Sequence, residues 1–371
     1  MLVRKLQLIG FRNYIEAAIS FDASKTIIIG NNAQGKTNLL EAIQVLTSYK
    51  SRRATKDIEL INFELNEAVL RAEISKETDL SFNQISMLIR PSGRRTLKVN
   101  DVNKKAKELS LDFASVSFMV DDLEIINGSP SGRRNFLDNL LAKLFYSYAD
   151  DLDAFEDILL QRNSYLKSLQ EKNIYHINQL QDRVQLSIWD QMFVDKANRV
   201  SRHRSQLIKQ LEPVMKNYYQ RISNQNHDFE LIYQGAQISQ NDLDLVINKD
   251  LARGITNIGP QRDDIEFRLK YKDAASYASQ GEKRSLALAL KLAELELLKD
   301  KFSEYPILLL DDVLAELDED RQDLLLECIE GDIQVIISTT HLGKHLEKWS
   351  RGAQILTVNN GVIAKLDEAK I

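Results

Sequence analysis

The chain has 371 residues, 43% hydrophobic and 28% charged, enough for two to three domains with a sizeable core. Lys and Arg total 49 against 54 Asp and Glu, a net charge of −5, so any nucleic-acid binding must come from local patches. The single cysteine, Cys328, excludes a disulfide framework and a cysteine-ligated metal site, which fits a reducing compartment. No apolar stretch of signal-peptide length opens the chain, and no run approaches the ~20 apolar residues of a membrane span, so a cytoplasmic protein is expected.

Val3, Leu6, Leu8 and Phe11 open the chain with strand-like spacing, and Thr26-Ile27-Ile28-Ile29 is a second short strand ending at Gly30. Leu39, Leu40, Ile43 and Leu46 then take helical spacing. Residues 57–120 are strand-rich, with Pro91-Ser92-Gly93 as a hairpin turn. Ser129 and Pro130 make an N-cap and a first helical residue. From there to about 222 strand signals vanish, with helices through 176–211 and Pro213 as their boundary. Strand character returns at 229–233 and 265–271. The last third reads as helix 281–301, strand 307–310, helix 318–330 and strand 333–338, then short strands. The fold class is therefore α/β, a core built from both chain ends around a helical insertion. The expected domains are 1–130, a helical insertion at 131–225, and 226–371.

Gly30-Asn31-Asn32-Ala33-Gln34-Gly35-Lys36-Thr37 matches G-x-x-x-x-G-K-[ST], between a strand and a helix. Its glycines let backbone N–H groups turn toward phosphates, Lys36 reaches the β/γ-phosphates, and the Thr37 hydroxyl ligates Mg²⁺. A random chain of this length matches on the order of once in a hundred, so the loop is read as a nucleotide-binding site. Ile307 to Leu310 form an apolar strand that delivers Asp311 and Asp312 at its C-terminal end. Asp311 suits the Mg²⁺-holding role, and Asp312 that of the group activating water.

Ser279-Gln280-Gly281-Glu282 opens a long helix, where a small turn with a hydroxyl is either an anion site or a plain helix cap. Ala315-Glu316-Leu317-Asp318 follows the carboxylates, and His341 follows the strand 333–338. In this order the pieces resemble the ABC-type ATPases: phosphate loop, signature, paired carboxylates, D-loop and switch histidine. Phe11-Arg12-Asn13-Tyr14, Gly128 to Asp138 (GSPSGRRNFLD), Gly259 to Asp264 (GPQRDD) and the DDVLAELD core make the whole chain similar to the RecF family, relatives of the SMC heads.

That resemblance implies an ABC/SMC-type P-loop ATPase head with an inserted helical arm. It also implies a nucleotide site that includes Arg12 and Asn13, and catalytic Asp312 and His341. The signature Ser279, Gln280, Gly281 and Glu282 would complete the site of a second copy, with Asp318 in the D-loop. The expected activity is a weak, DNA-stimulated ATPase that acts as a switch. ATP closes a dimer on gapped DNA and slow hydrolysis reopens it, alongside RecO and RecR. The alternative is the nucleotide-binding subunit of another ABC-type machine. The chain departs from the family at Val120 and Gln261. No glutamine stands at 116–123, which leaves Asp121 as the candidate for that loop.

Three basic patches could hold DNA: residues 90–107, 50–56 and 196–209. The first carries seven basic residues against one acid, and Arg94, Arg95, Lys104, Lys105 and Lys107 are its expected DNA contacts. A solvated charged face is the plainer reading of each patch. Arg133 and Arg134 either join such a surface or pair with nearby carboxylates.

Overall fold

The computed structural model describes residues 1–76, 81–172, 180–224, 228–329 and 331–366. The chain divides into two compact units, Met1–Leu123 with Asn217–Gln225 and Gln280–Ile371, and Glu124–Lys216 with Asn226–Ser279.

The first unit holds two six-stranded sheets. One is antiparallel: β1 (Leu2–Phe11), β2 (Tyr14–Ser20), β4 (Ala68–Ser75), β5 (Asn83–Ile89), β6 (Thr96–Val99) and β7 (Val102–Asn103), in the order β2-β1-β4-β5-β6-β7. The register aligns Leu6 with Ala72 and Ala72 with Ile85, so the alternate residues of three strands share one buried face. Lys5, Gln7, Arg71 and Ser86 occupy the other face, as a two-residue period requires.

The second sheet contains β3 (Lys25–Ile29), β8 (Ser115–Met119), β12 (Ile307–Asp311), β13 (Val335–Thr339), β14 (Gln354–Asn359) and β15 (Val362–Lys365). Its order is β15-β14-β3-β13-β12-β8, parallel except for β15. Every residue of β12 and β13 is buried, which explains the unbroken apolar runs there. Helix α1 (Lys36–Ser48) buries Leu39, Leu40, Ile43 and Leu46, and one core joins it to both sheets. Helices α2 (Ala106–Asp112), α9 (Gln280–Phe302), α10 (Glu319–Cys328) and α11 (Lys344–Trp349) complete this unit, while α3 (Leu123–Asn127) belongs to the other unit after its first residue. The parallel strands all end on one edge, where open α/β sheets bind ligands.

The second unit contains α4 (Pro130–Leu144), α5 (Tyr148–Glu171), most of α6 (Leu180–Ser223), α7 (Gln240–Arg253) and α8 (Ala274–Tyr277). It also holds an antiparallel sheet in the order β11-β10-β9, made of β9 (Phe229–Gln234), β10 (Asp264–Leu269) and β11 (Lys272–Asp273). Arg162 is buried at its centre. It donates to Asp190 Oδ1 at 2.7 Å, Asp250 Oδ2 at 2.8 Å and Thr256 Oγ1 at 2.7 Å, tying α5 to α6 and α7.

Two expectations change. Pro213 lies inside α6 and does not end it. A proline there removes one helical hydrogen bond, but Leu207, Leu211 and Met215 are fully buried around it, and packing outweighs that loss. Residues 226–279 group with the inserted helices instead of the second half of the head, so the inserted unit carries a sheet of its own. Helix α7 gave no clear signal in the sequence. Expected helical positions 176–179 and 330 lie outside the described residues. Among the described residues no helix is long and apolar enough to cross a membrane.

Candidate active site

The phosphate loop leaves β3 and enters α1. Gly35 sits at φ 120°, where only glycine is at ease, and a Cβ there would stand 2.6 Å from Asn13 Nδ2. Ala33 also takes a positive φ of 64°, so the loop is wound tightly, and Asn31, Asn32 and Ala33 are exposed. A Cβ on Gly30 would stand 2.4 Å from the Val358 carbonyl, so the loop can start beside β14 only with glycine.

Lys36 is buried, and its Nζ donates to the carbonyls of Gly30 at 2.9 Å and Asn31 at 3.2 Å. The same Nζ lies 3.7 Å from Asp312 Oδ2. Thr37 Oγ1 donates to Asp311 Oδ1 at 3.0 Å, although 274 residues separate them. Ser338 on β13 also donates to Asp311 Oδ1, at 2.6 Å. Burial pushes the Asp311 pKa up, against the hydrogen bonds from Ser338 and Thr37. Asp312 takes a positive φ of 53°, and its backbone N–H donates to the Ser338 carbonyl and hydroxyl. Its Oδ1 is buried without a hydrogen-bond partner among the described residues. A carboxylate held with an unmatched oxygen has acceptor capacity left for a water.

The hydroxyl of Thr37 and the carboxylate of Asp311 make a hard oxygen pair, the donor chemistry that Mg²⁺ prefers. His341 follows β13 on the same edge and is exposed. Its Nδ1 lies 3.0 Å from Thr340 Oγ1, and its carbonyl accepts from Thr339.

Asn13 braces the loop from below, with Nδ2 donating to the Gln34 carbonyl at 2.9 Å and Oδ1 accepting from Asn38. Arg12 has partners of its own beside α1. Its Nε and Nη2 form a two-point pair with fully buried Glu41, both at 2.8 Å, and Nη1 donates to the Glu59 carbonyl. All three guanidinium nitrogens are thus engaged, and the buried Glu41 carboxylate on α1 has the cation it needs.

Two supports come from residues with no assigned role in the sequence, Tyr14 and Asn360. Buried Tyr14 donates to the Gly35 carbonyl at 2.9 Å, and Gln34 Oε1 accepts from the Asn360 N–H at 2.7 Å. The second of these bonds spans 326 residues and ties the loop to the β14–β15 turn.

At the loop without glutamine, Asp121 is exposed, while buried Asp122 accepts from Arg52 at 2.5 and 3.0 Å and from the Met119 N–H at 2.8 Å. Arg53 Nη1 donates to Asn38 Oδ1 at 3.3 Å, and its positive field reaches Asp311. The patch at 50–56 therefore includes two arginines that already have partners, Arg52 with Asp122 and Arg53 with Asn38.

The signature residues Gln280, Gly281 and Glu282 form the first turn of α9, with Ser279 directly before it. Asp318 caps α10, accepting from the Arg321 N–H at 3.0 Å.

The other basic patches change character. Arg95 is mostly buried. It donates to Asp57 Oδ1 at 2.6 and 3.0 Å and to the Tyr49 carbonyl at 2.5 Å, so it is not a free surface cation. Arg94 and Lys105 are exposed, and Lys104 and Lys107 are partly so. In 196–209, Lys196 and Arg199 pair with Asp151, and buried Arg204 pairs with Asp138. His203 packs against Phe145 and Tyr148, and burial pushes its pKa down. Arg133 pairs with Asp264 at 2.6 and 2.9 Å, and Arg134 donates to the Asp263 carbonyl. Arg133 thus takes the carboxylate pairing, and Arg134 is held by a backbone carbonyl instead.

Phosphate loop, paired carboxylates and switch strand on one parallel edge, with a signature helix in the same chain, define an ABC/SMC-type ATPase head. A family model for the RecF/RecN/SMC N terminal domain matches residues 2–364. A DNA replication and repair protein RecF from Cyanothece sp. strain PCC 7425 is 40% identical over 382 residues, 98% of each chain. A solved structure of the recombination mediator protein RecF with ATP, from the RecFOR pathway, superposes with a TM-score of 0.87 at 31% identity, covering 98% of this chain and 97% of that one. An Smc head bound to the winged-helix domain of ScpA shares the fold alone, with a TM-score of 0.57 at 19% identity. The chain belongs to the RecF family.

Proposed function

We propose that this protein is an ATP-dependent, DNA-binding recombination mediator of replication and repair. The observation that carries the reading is the meeting of Thr37 with Asp311 and of Lys36 with Asp312, each pair drawn from opposite ends of the chain. Lys36 and the loop N–H groups bind the β/γ-phosphates. Asp312 orients the attacking water and accepts its proton through its partly exposed carboxylate. Thr37 and Asp311 would hold Mg²⁺, which neutralises charge on the phosphates. His341 stands ready on the neighbouring strand end.

ATP closes two copies head to head, with Ser279 to Glu282 of one chain reaching the γ-phosphate held by Lys36 of the other. The closed dimer holds duplex DNA beside a gap, and slow, DNA-stimulated hydrolysis releases it. RecO and RecR are the expected partners, and the cytoplasm the expected location. Gel filtration and ATPase assays test this together. ATP should convert monomer to dimer, and gapped DNA should raise turnover. A chain that stays monomeric with ATP and DNA, or whose turnover ignores DNA, would refute the reading.

A further inference from the structure

Two arginines cross in opposite directions between α9 and the D-loop. Arg284 on α9 donates to the Glu316 carbonyl and, at 2.6 Å, to Glu316 Oε2. Arg321 on α10 reaches the other way. Its Nε donates to Ser285 Oγ at 2.9 Å, and its Nη1 donates to Asp318 Oδ2. Ser285 is fully buried, and its hydroxyl donates in turn to the Gly281 carbonyl at 3.1 Å. The hydroxyl hydrogen is thus committed to the signature turn, and a lone pair is committed to Arg321.

The first turn of α9 is shaped to accept this. A Cβ on Gly281 would stand 3.1 Å from Arg321 Nη2, so the guanidinium lies close over that turn. A side chain at 281 would press on it. The Arg321–Asp318 pair alone is a half-exposed pairing three residues apart, of the kind that contributes little. The bond to buried Ser285 and the close approach at Gly281 are what an ordinary surface pair lacks.

We infer that Arg321 is a positioning residue: through Ser285 and Asp318 it locks the signature turn and the D-loop into one rigid piece that is presented to the nucleotide of a second copy. The inference rests on the in-trans reading of the signature proposed above. A guanidinium suits the task because its planar fork serves several acceptors at fixed angles, which an ammonium cannot do.

The test uses Arg321→Ala, Arg321→Lys and Ser285→Ala in the full chain. Binding of a fluorescent ATP analogue by the isolated chain should stay unchanged, since the phosphate loop is untouched. The dissociation constant of the ATP-driven dimer should rise about tenfold for Arg321→Ala, as loss of a partly buried hydrogen bond to a charged group predicts. Ser285→Ala should do the same, and the double variant should be no worse than either, because both remove one shared interaction. Arg321→Lys should not restore assembly. Should Arg321→Ala melt poorly, Ser285→Ala carries the measurement.

Mixtures then separate the inference from the reading beneath it. Lys36→Ala chains mixed with Ser279→Arg chains, and separately with Arg321→Ala chains, should both regain ATPase activity, since each mixed dimer has one intact composite site. Recovery with Ser279→Arg but not with Arg321→Ala would place Arg321 in its own chain's site and overturn the inference. No recovery in either mixture, with heterodimers formed, would overturn the in-trans reading and the inference with it. Unchanged dimerisation of both Arg321→Ala and Ser285→Ala would overturn the inference alone.

Discussion

Lys36 Nζ stands 3.7 Å from Asp312 Oδ2, so the cation of the phosphate loop and the carboxylate that directly follows β12 face one another across the site. Binding of ATP sets a phosphate in competition with that carboxylate for one ammonium. Lys36→Ala leaves phosphate charge unmatched, so ATP affinity should collapse and hydrolysis with it. Asp312→Asn removes a negative charge near the phosphates and a proton acceptor at once. ATP should bind at least as tightly, turnover should fall by about 10²–10⁴-fold, and the dimer should persist on DNA. Equilibrium nucleotide binding and single-turnover hydrolysis measure the two effects separately. Normal turnover in Asp312→Asn would pass the water-activating role to His341.

Asp311 should trade stability for function. Its pKa is raised by burial, so the folded chain takes up this proton more readily than the unfolded one. The charged carboxylate therefore weighs against folding above the raised pKa, and this cost disappears below the unfolded value, about pH 4. Asparagine keeps the Oδ1 acceptor for Thr37 and Ser338 without the charge. Asp311→Asn should melt higher than the parent at neutral pH when Mg²⁺ and nucleotide are left out, and the gain should vanish under acid. Mg²⁺ should tighten nucleotide binding in the parent and not in the variant. A variant that melts lower at neutral pH would contradict the sign of this argument.

The phosphate loop and the paired carboxylates were legible because each is a local pattern, a strand that ends in the residues it delivers. The fate of the cations was not. Arg95 meets Asp57 across 38 residues, Arg204 meets Asp138 across 66, and Arg12 meets Glu41 across 29. A run of basic residues shows where charge is dense but not which carboxylate the fold will bring to it. The brace between Gln34 and Asn360 escaped for the same reason. Pro213 misled because a local rule about helix ends lost to burial along the rest of α6.

Arg12 provides a direct test of that distinction. Removing it strands the fully buried Glu41 carboxylate, with Ser51 as a remaining donor at 2.5 Å. Arg12→Ala should cost about 3 kcal/mol of stability by chemical denaturation. Nucleotide affinity under native conditions should change far less than in Lys36→Ala. Adding Glu41→Gln should restore part of the loss, since the stranded charge is gone. A large loss of ATP affinity at unchanged stability would return Arg12 to the nucleotide site.

DNA binding by a net-acidic chain must run through local pairing of cations with phosphates, and its affinity should fall steeply with salt. Within 90–107 the fold separates two kinds of cation. Arg95 is held by Asp57 and the Tyr49 carbonyl, whereas Arg94 and Lys105 are exposed. Arg95→Ala should lower the melting temperature. Arg94→Ala should change stability by less than about 0.5 kcal/mol. Neutralising Lys104, Lys105 and Lys107 together should flatten the plot of log affinity against log salt, by about 0.9 for each DNA phosphate that no longer meets a lysine. Fluorescence anisotropy with a gapped duplex across a salt series reads the slope. An unchanged slope would move the DNA surface away from this patch. The patch at 196–209 would be a poor successor, because Lys196, Arg199 and Arg204 already have carboxylate partners.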